Sequence, residues 1–231
     1  MSKLLILNCT LAEAGIARLD GLFSEILGKL NIDFESIHLS KAIGNTDRFS
    51  HLLITGSALF ASQANECDEK IYEIVGTFMN KHILGICYGH QMLAKALMKK
   101  NVCRQSKTPE LGWRKIELND NALFEGIQNP VLYESHFEEV FDLDDNFRII
   151  AKNQNCNIQS FQYKDLPIWG VQFHPEITFE YGKQSIKNSK QRFAEKGDFF
   201  KIELENKSQI EQNFKIFKNF FKGENDEKRS L

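Results

Sequence analysis

Gly85-Ile86-Cys87-Tyr88-Gly89-His90-Gln91 decides how this chain is read. A strand-like apolar run, His82-Ile83-Leu84-Gly85-Ile86, leads into it, and a helix-like run from Gln91 to Met98 leads out. A cysteine between two near glycines at a strand-to-helix turn is the thiol form of a nucleophile elbow. The glycines allow a sharp turn and a close backbone approach. The turn holds the sulfur out at the sheet edge, and the helix N-terminus behind it favours thiolate over thiol.

Outward from this turn, Lys3–Asn8, Asp33–Leu39, His51–Thr55 and Ile83–Ile86 read as strands. Between them, Ala12–Leu30 carries apolar residues at helical spacing (Ile16, Leu19, Leu22, Phe23, Ile26, Leu27), and Glu66–Lys81 does so at Ile71, Ile74, Val75 and Phe78. Strands alternating with helices over the first hundred residues predict a mostly parallel sheet covered on both faces. After Asn101 the pattern predicts short strands at Gly112–Leu118, Pro130–Ser135, Glu139–Leu143 and Phe147–Lys152, and a hairpin joining Ile158–Tyr163 to Ile168–Phe173. Helices are predicted at Phe179–Glu195 and Ser208–Lys222. The charged end, Gly223–Leu231, is expected to fray. The phenylalanine stripe of the last helix (Phe214, Phe217, Phe220, Phe221) is expected to pack on the domain, with a docking face for another protein as the alternative.

The composition is that of a soluble globular domain: 42% hydrophobic, 26% charged, net charge −2. Nothing in that balance calls for a nucleic-acid or anionic-membrane surface. No apolar run approaches the ~20 residues needed to span a bilayer, and the N-terminal run reads as a first strand rather than a signal peptide. A cytoplasmic location is expected. The five cysteines, Cys9, Cys67, Cys87, Cys103 and Cys156, are widely spaced with no C-x-x-C, which suggests neither a disulfide framework nor a zinc site. Only Cys87 has a context that argues for reactivity.

A nucleophilic cysteine needs a proton shuttle, and the shuttle needs a group to orient it. Trp169-Gly170-Val171-Gln172-Phe173-His174-Pro175-Glu176 places His174 at the end of an apolar strand. In extended backbone, Glu176 would point to the same side as His174 and accept a hydrogen bond from one imidazole nitrogen, leaving the other for a sulfur. His90 competes as base, but its place in the first helical turn predicts packing instead. His136, in Glu134-Ser135-His136-Phe137-Glu138-Glu139, reads as a pocket residue on a loop at the same sheet end. Backbone N–H groups of Tyr88, after the nucleophile, and of Gly56, in Ile54-Thr55-Gly56-Ser57, are the expected oxyanion donors.

G-I-C-Y-G-H-Q at 85–91, S-H-F-E-E-V at 135–140 and G-V-Q-F-H-P-E at 170–176, supported by T-G-S at 55–57, together resemble the class I (triad-type) glutamine amidotransferases. The closest motifs are those of the amidotransferase domain of GMP synthase and its stand-alone relatives. The resemblance spans roughly residues 3 to 178. It implies an α/β fold, a flavodoxin-like three-layer sandwich with a mostly parallel central sheet, over 1–200. A C-terminal helical extension with a charged tail would occupy 201–231. It implies Cys87 as nucleophile, His174 as acid/base, Glu176 as its orienter, Gly56 and Tyr88 as the oxyanion hole, and Gln91, Ser135 and His136 as the grip on substrate. The substrate would be L-glutamine or another γ-glutamyl compound, with no metal or organic cofactor. The ammonia would pass to a separate synthetase subunit that uses ATP. The alternative is a stand-alone γ-glutamyl hydrolase or peptidase with the same triad. The chain departs from the family pattern at Thr55-Gly56-Ser57, where G-G-P is common, and at Ser135-His136-Phe137-Glu138, where S-H-G-D is usual. It also runs 55 residues beyond Glu176 and has no nucleotide-binding loop of its own.

Overall fold

Consecutive residues of Lys3–Asn8 (β1) bury opposite faces: Leu4 and Ile6 go into one apolar cluster, Leu5 and Leu7 into another. That alternation, on a strand buried on both sides, makes this a three-layer molecule. The coordinates are a computed structural model that describes residues 3–194, 200–204 and 207–222. The expectation of a frayed end at 223–231 lies outside the described residues.

The chain runs through Glu13–Lys29 (α1), Asp33–His38 (β2), His51–Ile54 (β3), Asp68–Thr77 (α2), His82–Ile86 (β4) and Tyr88–Met98 (α3). Further on come Cys103–Lys115 (β5), Glu117–Leu118 (β6), Val131–Val140 (β7), Phe147–Lys152 (β8), Ser160–Tyr163 (β9), Ile168–Val171 (β10) and Phe179–Ala194 (α4). Phe200–Ile202 (β11), Ser208–Glu211 (α5) and Lys215–Phe220 (α6) complete it. The main sheet has eight strands in the order β2-β1-β3-β4-β10-β9-β8-β6. The first five are parallel and the last three antiparallel. A second sheet, β11-β5-β7, stands beside it. Helix α1, with Phe23, Ile26 and Leu27, covers one face of the main sheet, and α2 and α3 cover the other. No helix among the described residues is long and apolar enough to cross a membrane.

Three expectations change. The strand expected from Gly112 begins at Cys103, because the polar stretch after it pairs with β7; the register slips between Gln105 and Glu110, where Pro109 sits. The two short strands expected at Pro130–Ser135 and Glu139–Leu143 are replaced by one continuous strand, β7, over Val131–Val140. Its polar residues suggested a loop, but they are buried: Glu134, His136 and Glu138 are each less than a twentieth exposed. The single helix expected over Ser208–Lys222 is α5, a 3-10 turn at Gln212–Phe214, and α6. Its stripe does pack on the domain. Phe217, Phe220 and Phe221 join the α1 side of the core, with Phe217 edge-on to Phe23 at 5.9 Å. Since β11 also pairs with β5, the residues after 200 share the core of the residues before it.

Candidate active site

The parallel strands β3, β4 and β10 end at one edge of the sheet, where ligand sites of such folds form. Cys87 is the single residue between β4 and α3. Its backbone is forced to φ 52°, ψ −106°, a conformation that costs a non-glycine residue on the order of 1–3 kcal/mol. Its N–H donates to the Val171 carbonyl of β10 at 2.8 Å, and its carbonyl accepts from Gln91 N–H at 3.1 Å. The flanking glycines are a matter of space. A Cβ on Gly85 would run into the Gly89 carbonyl, and one on Gly89 into the Ile54 carbonyl of β3. The elbow helix is therefore pressed directly onto two strands.

His174 lies three residues beyond β10, in an isolated bridge with Tyr133 of β7, its N–H donating to the Tyr133 carbonyl at 2.8 Å. The chain turns at once, with Ile177 N–H reaching back to the His174 carbonyl. So it is a turn and not extended backbone, as expected from sequence, that brings Glu176 round. The outcome is the same: His174 Nδ1 and Glu176 Oε1 are 2.7 Å apart. With Nδ1 engaged, Nε2 is the ring nitrogen left for the sulfur. Gly56, at the end of β3, closes the third side. A Cβ there would lie 3.0 Å from His174 Cε1 and 3.6 Å from Cys87 Cβ, so a side chain at this position would crowd the imidazole. Tyr88 opens α3, so its N–H is one of the first-turn donors with no partner inside the helix.

Burial alone would push the His174 pKa down, but the Glu176 carboxylate and then Cys87 outweigh it and hold it well above its ordinary value. Burial pushes the Cys9 and Cys103 thiols up to about 12, and raises Cys156 as well, which leaves these three protonated at neutral pH. His90, fully buried beneath Gly170 and Phe161, is pushed down to about 3. It is a packed neutral residue.

A cavity of about 250 Å³ opens over this edge, lined among others by Gly56, Cys87, Gln91, Ser135, His136, His174 and Glu176. Of the residues singled out from sequence, only Tyr88 is absent from the lining, its ring being buried beneath. The Ser135 carbonyl is 4.0 Å from the Cys87 sulfur. Gln91 and His136 make an unforeseen arrangement. Gln91 Nε2 donates to the Glu138 carbonyl at 3.0 Å, and His136 Nδ1 to the same carbonyl at 2.9 Å. Gln91 also donates to Gln172 Oε1. Gln91 thus ties α3 to β7, while His136 braces β7 from within the strand. Behind them His136 Nε2 faces Glu110 at 3.3 Å and Glu134 at 3.4 Å. This buried cluster is the one grouping of metal-ligand type among the described residues, but Arg114 Nε already donates to Glu110 at 2.9 Å and supplies the positive charge. Four further lining residues were not foreseen: Thr10, Arg18, Tyr181 and Ser185 come from α1, its approach and α4, which carry no sequence signal beyond helical periodicity.

The sequence profile of the family described as glutamine amidotransferase class-I matches residues 24–192. The chain belongs to the class-I glutamine amidotransferase family. Among the relatives of this amidotransferase chain is one component of a glutamine-hydrolysing GMP synthase from Pyrococcus abyssi, 41% identical over 123 residues, 52% of this chain and 64% of that one. The corresponding component from Methanopyrus kandleri is 34% identical over 145 residues, 62% and 75% of the two chains. The match to the first of these spans slightly less than two thirds of its length. A solved glutamine amidotransferase from Thermotoga maritima superposes with a TM-score of 0.75 over 96% of this chain and 99% of its own, at 19% identity, which shows the common fold.

Proposed function

We propose that this chain hydrolyses the side-chain amide of L-glutamine through a thioester on Cys87 and releases ammonia for an acceptor. The observation that carries the reading is the meeting of Cys87, His174 and Glu176 at one sheet edge, from strand ends far apart in sequence. In this mechanism the Cys87 thiolate attacks the γ-carbonyl and the oxyanion is held by the N–H groups of Gly56 and Tyr88. The collapsing intermediate expels ammonia, protonated by His174, and leaves a γ-glutamyl thioester. Water, deprotonated by His174, then cleaves the thioester to glutamate and restores the thiol. Glu176 fixes the ring tautomer and stabilises the imidazolium. Ser135 and the backbone of β7 form the wall against which the glutamine side chain lies, with Gln91 and His136 bracing that wall. None of these steps routes through a cofactor.

The relatives named as components of a GMP synthase support a second part of the proposal: a separate ATP-using synthetase receives the ammonia. The test is direct. Pure protein is assayed for ammonia and glutamate, alone and with cell extract, and treated with a glutamine analogue that alkylates thiols. Labelling confined to Cys87, and blocked by glutamine, is expected. Labelling spread over the buried Cys9 or Cys103 would refute a uniquely activated elbow.

A further inference from the structure

The two expected oxyanion donors stand on different elements. Tyr88 opens α3, whereas Gly56 lies in the segment that follows β3. Residues 56–60 of that segment form one continuous wall of the catalytic cavity. At its start the wall is tied to the main sheet: Thr55 N–H donates to the Leu7 carbonyl at 3.1 Å, and Thr55 Oγ1 accepts from Cys9 N–H at 2.9 Å.

Its far end is tied to the elbow helix. Cys87, Gln91 and Lys95 follow at i, i+4 and i+8, so they share one side of α3, with Lys95 about 12 Å along the axis from the nucleophile. Lys95 is sealed in the interior, with 7% of its side chain exposed. Its ammonium donates to the Ala61 carbonyl at 2.6 Å, to Asp68 Oδ2 at 3.1 Å and, at the limit of a hydrogen bond, to the Gln63 carbonyl at 3.5 Å. Burying an ammonium is costly unless charge and protons are both matched. Asp68, at the start of α2, matches the charge, and the two carbonyls take the other protons. Beside them Glu138 of β7 accepts from Ser62 N–H at 3.0 Å and from the Ser62 hydroxyl, and its carbonyl accepts from Gln91. The end of the wall is thus fixed to the helix that carries Cys87 and Tyr88.

We propose that Lys95 is a positioning residue of the oxyanion hole. By bolting residues 61–63 to α3, it sets the spacing between the Gly56 N–H on the wall and the Tyr88 N–H on the helix. The inference rests on the glutamine reading above. It adds a residue that stands outside the cavity lining and acts only through the wall. An oxyanion donor works on charge that develops in the transition state, and its worth depends on a geometry set before substrate arrives. A loosened wall therefore costs turnover more than it costs substrate binding.

Lys95→Met alone would strand the Asp68 carboxylate in the interior, so the test variant combines Lys95→Met with Asp68→Asn and removes both charges. Three quantities are compared with the native protein: ammonia release from L-glutamine, alkylation of Cys87 by iodoacetamide, and amide hydrogen exchange over residues 56–63. The double variant is expected to lose about ten-fold in kcat with KM within about two-fold. Alkylation passes through no oxyanion, so its rate should stay within about two-fold. Exchange over residues 56–63 should rise about ten-fold while β4 and α3 keep their protection. Asp68→Asn alone leaves the ammonium on the carbonyls and should keep kcat within about three-fold of native. An unchanged kcat or unchanged exchange in the double variant overturns the proposal. Alkylation that falls in step with kcat also overturns it, because the elbow itself has then loosened. If the native protein releases no ammonia from glutamine, alone or with cell extract, the glutamine reading falls first. If it does and the double variant keeps that turnover, the role of Lys95 alone is lost.

Discussion

His174 and His136 each stand against glutamate, and β7 touches both. His174 gives Nδ1 to Glu176 at 2.7 Å, keeps about a seventh of its side chain exposed, and has its other nitrogen on the Cys87 side. His136 is sealed. Its Nδ1 is held by the Glu138 carbonyl and its Nε2 by Glu110, with Glu134 beside it at 3.4 Å and only 1% of the side chain exposed. The chemical groups are the same. What differs is whether one nitrogen is left facing a reacting atom. An imidazole with a free nitrogen over a cavity can move protons, whereas one with both nitrogens occupied holds a sheet together.

The sharpest way to break this contrast is to remove each ring. Cys87→Ala should cost at least ~10⁴-fold in kcat, and His174→Gln ~10²–10⁴-fold, the range of general acid/base transfer. The unfolding midpoint of Cys87→Ala in urea should barely move. His136→Gln should do the reverse: a stability loss of about 1–3 kcal/mol from the partners left unsatisfied, with a much smaller fall in kcat. A His136 variant of full stability and no activity would erase the distinction.

Glu176→Gln probes what holds His174 up. Burial opposes protonation and the carboxylate overrides it, so its loss should lower the His174 pKa and cut kcat by about 10–100-fold. The pH dependence has a definite sign. A histidine whose folded pKa exceeds its unfolded value stabilises the fold fully below about pH 6.5, and the contribution fades as pH rises through the folded pKa. The Glu176→Gln stability deficit should therefore be greatest at about pH 6 and shrink above it. A deficit that grows with pH would contradict the assigned ion pair.

The smallest effect sharpens the other side. Glu134 is fully buried with neither carboxyl oxygen hydrogen-bonded among the described residues, and burial, then Glu110, raises its pKa well above 4.5. The folded state thus holds a proton that the unfolded state releases, and native stability falls as pH rises above about 4.5. Glu134→Gln keeps the shape without that penalty. It should match the native protein near pH 4 and exceed it at pH 7, read from denaturant melts at the two pH values. Equal pH slopes would mean that Glu134 is ionised in the fold.

Much of this molecule was legible in the linear chain, for identifiable reasons. The strands β1, β3 and β4 are short apolar runs punctuated by helices of clear periodicity, and Gly85 and Gly89 announce the elbow because no side chain fits there. The partnership of His174 with Glu176 was legible too, although by a turn rather than by extended backbone. The course of β7 was not. Glu134, Ser135, His136 and Glu138 look like a loop, since nothing local says that His136 meets Glu110 and that Glu138 meets Ser62 inside the protein. Arg18 and Tyr181 were invisible for a related reason: they are ordinary helix residues until two helices far apart in the chain are folded to the same rim.

The order of residues alone determined the parallel α/β framework, the cysteine elbow and the histidine–glutamate pair, because each is encoded by neighbours within about one helical turn or one strand. Only the tertiary structure decided which histidine keeps a free nitrogen, which polar residues are sealed, and which cation lines the cavity. Those outcomes depend on burial and on long-range contacts, and a side chain acquires its chemistry from whatever distant atoms the fold sets against it.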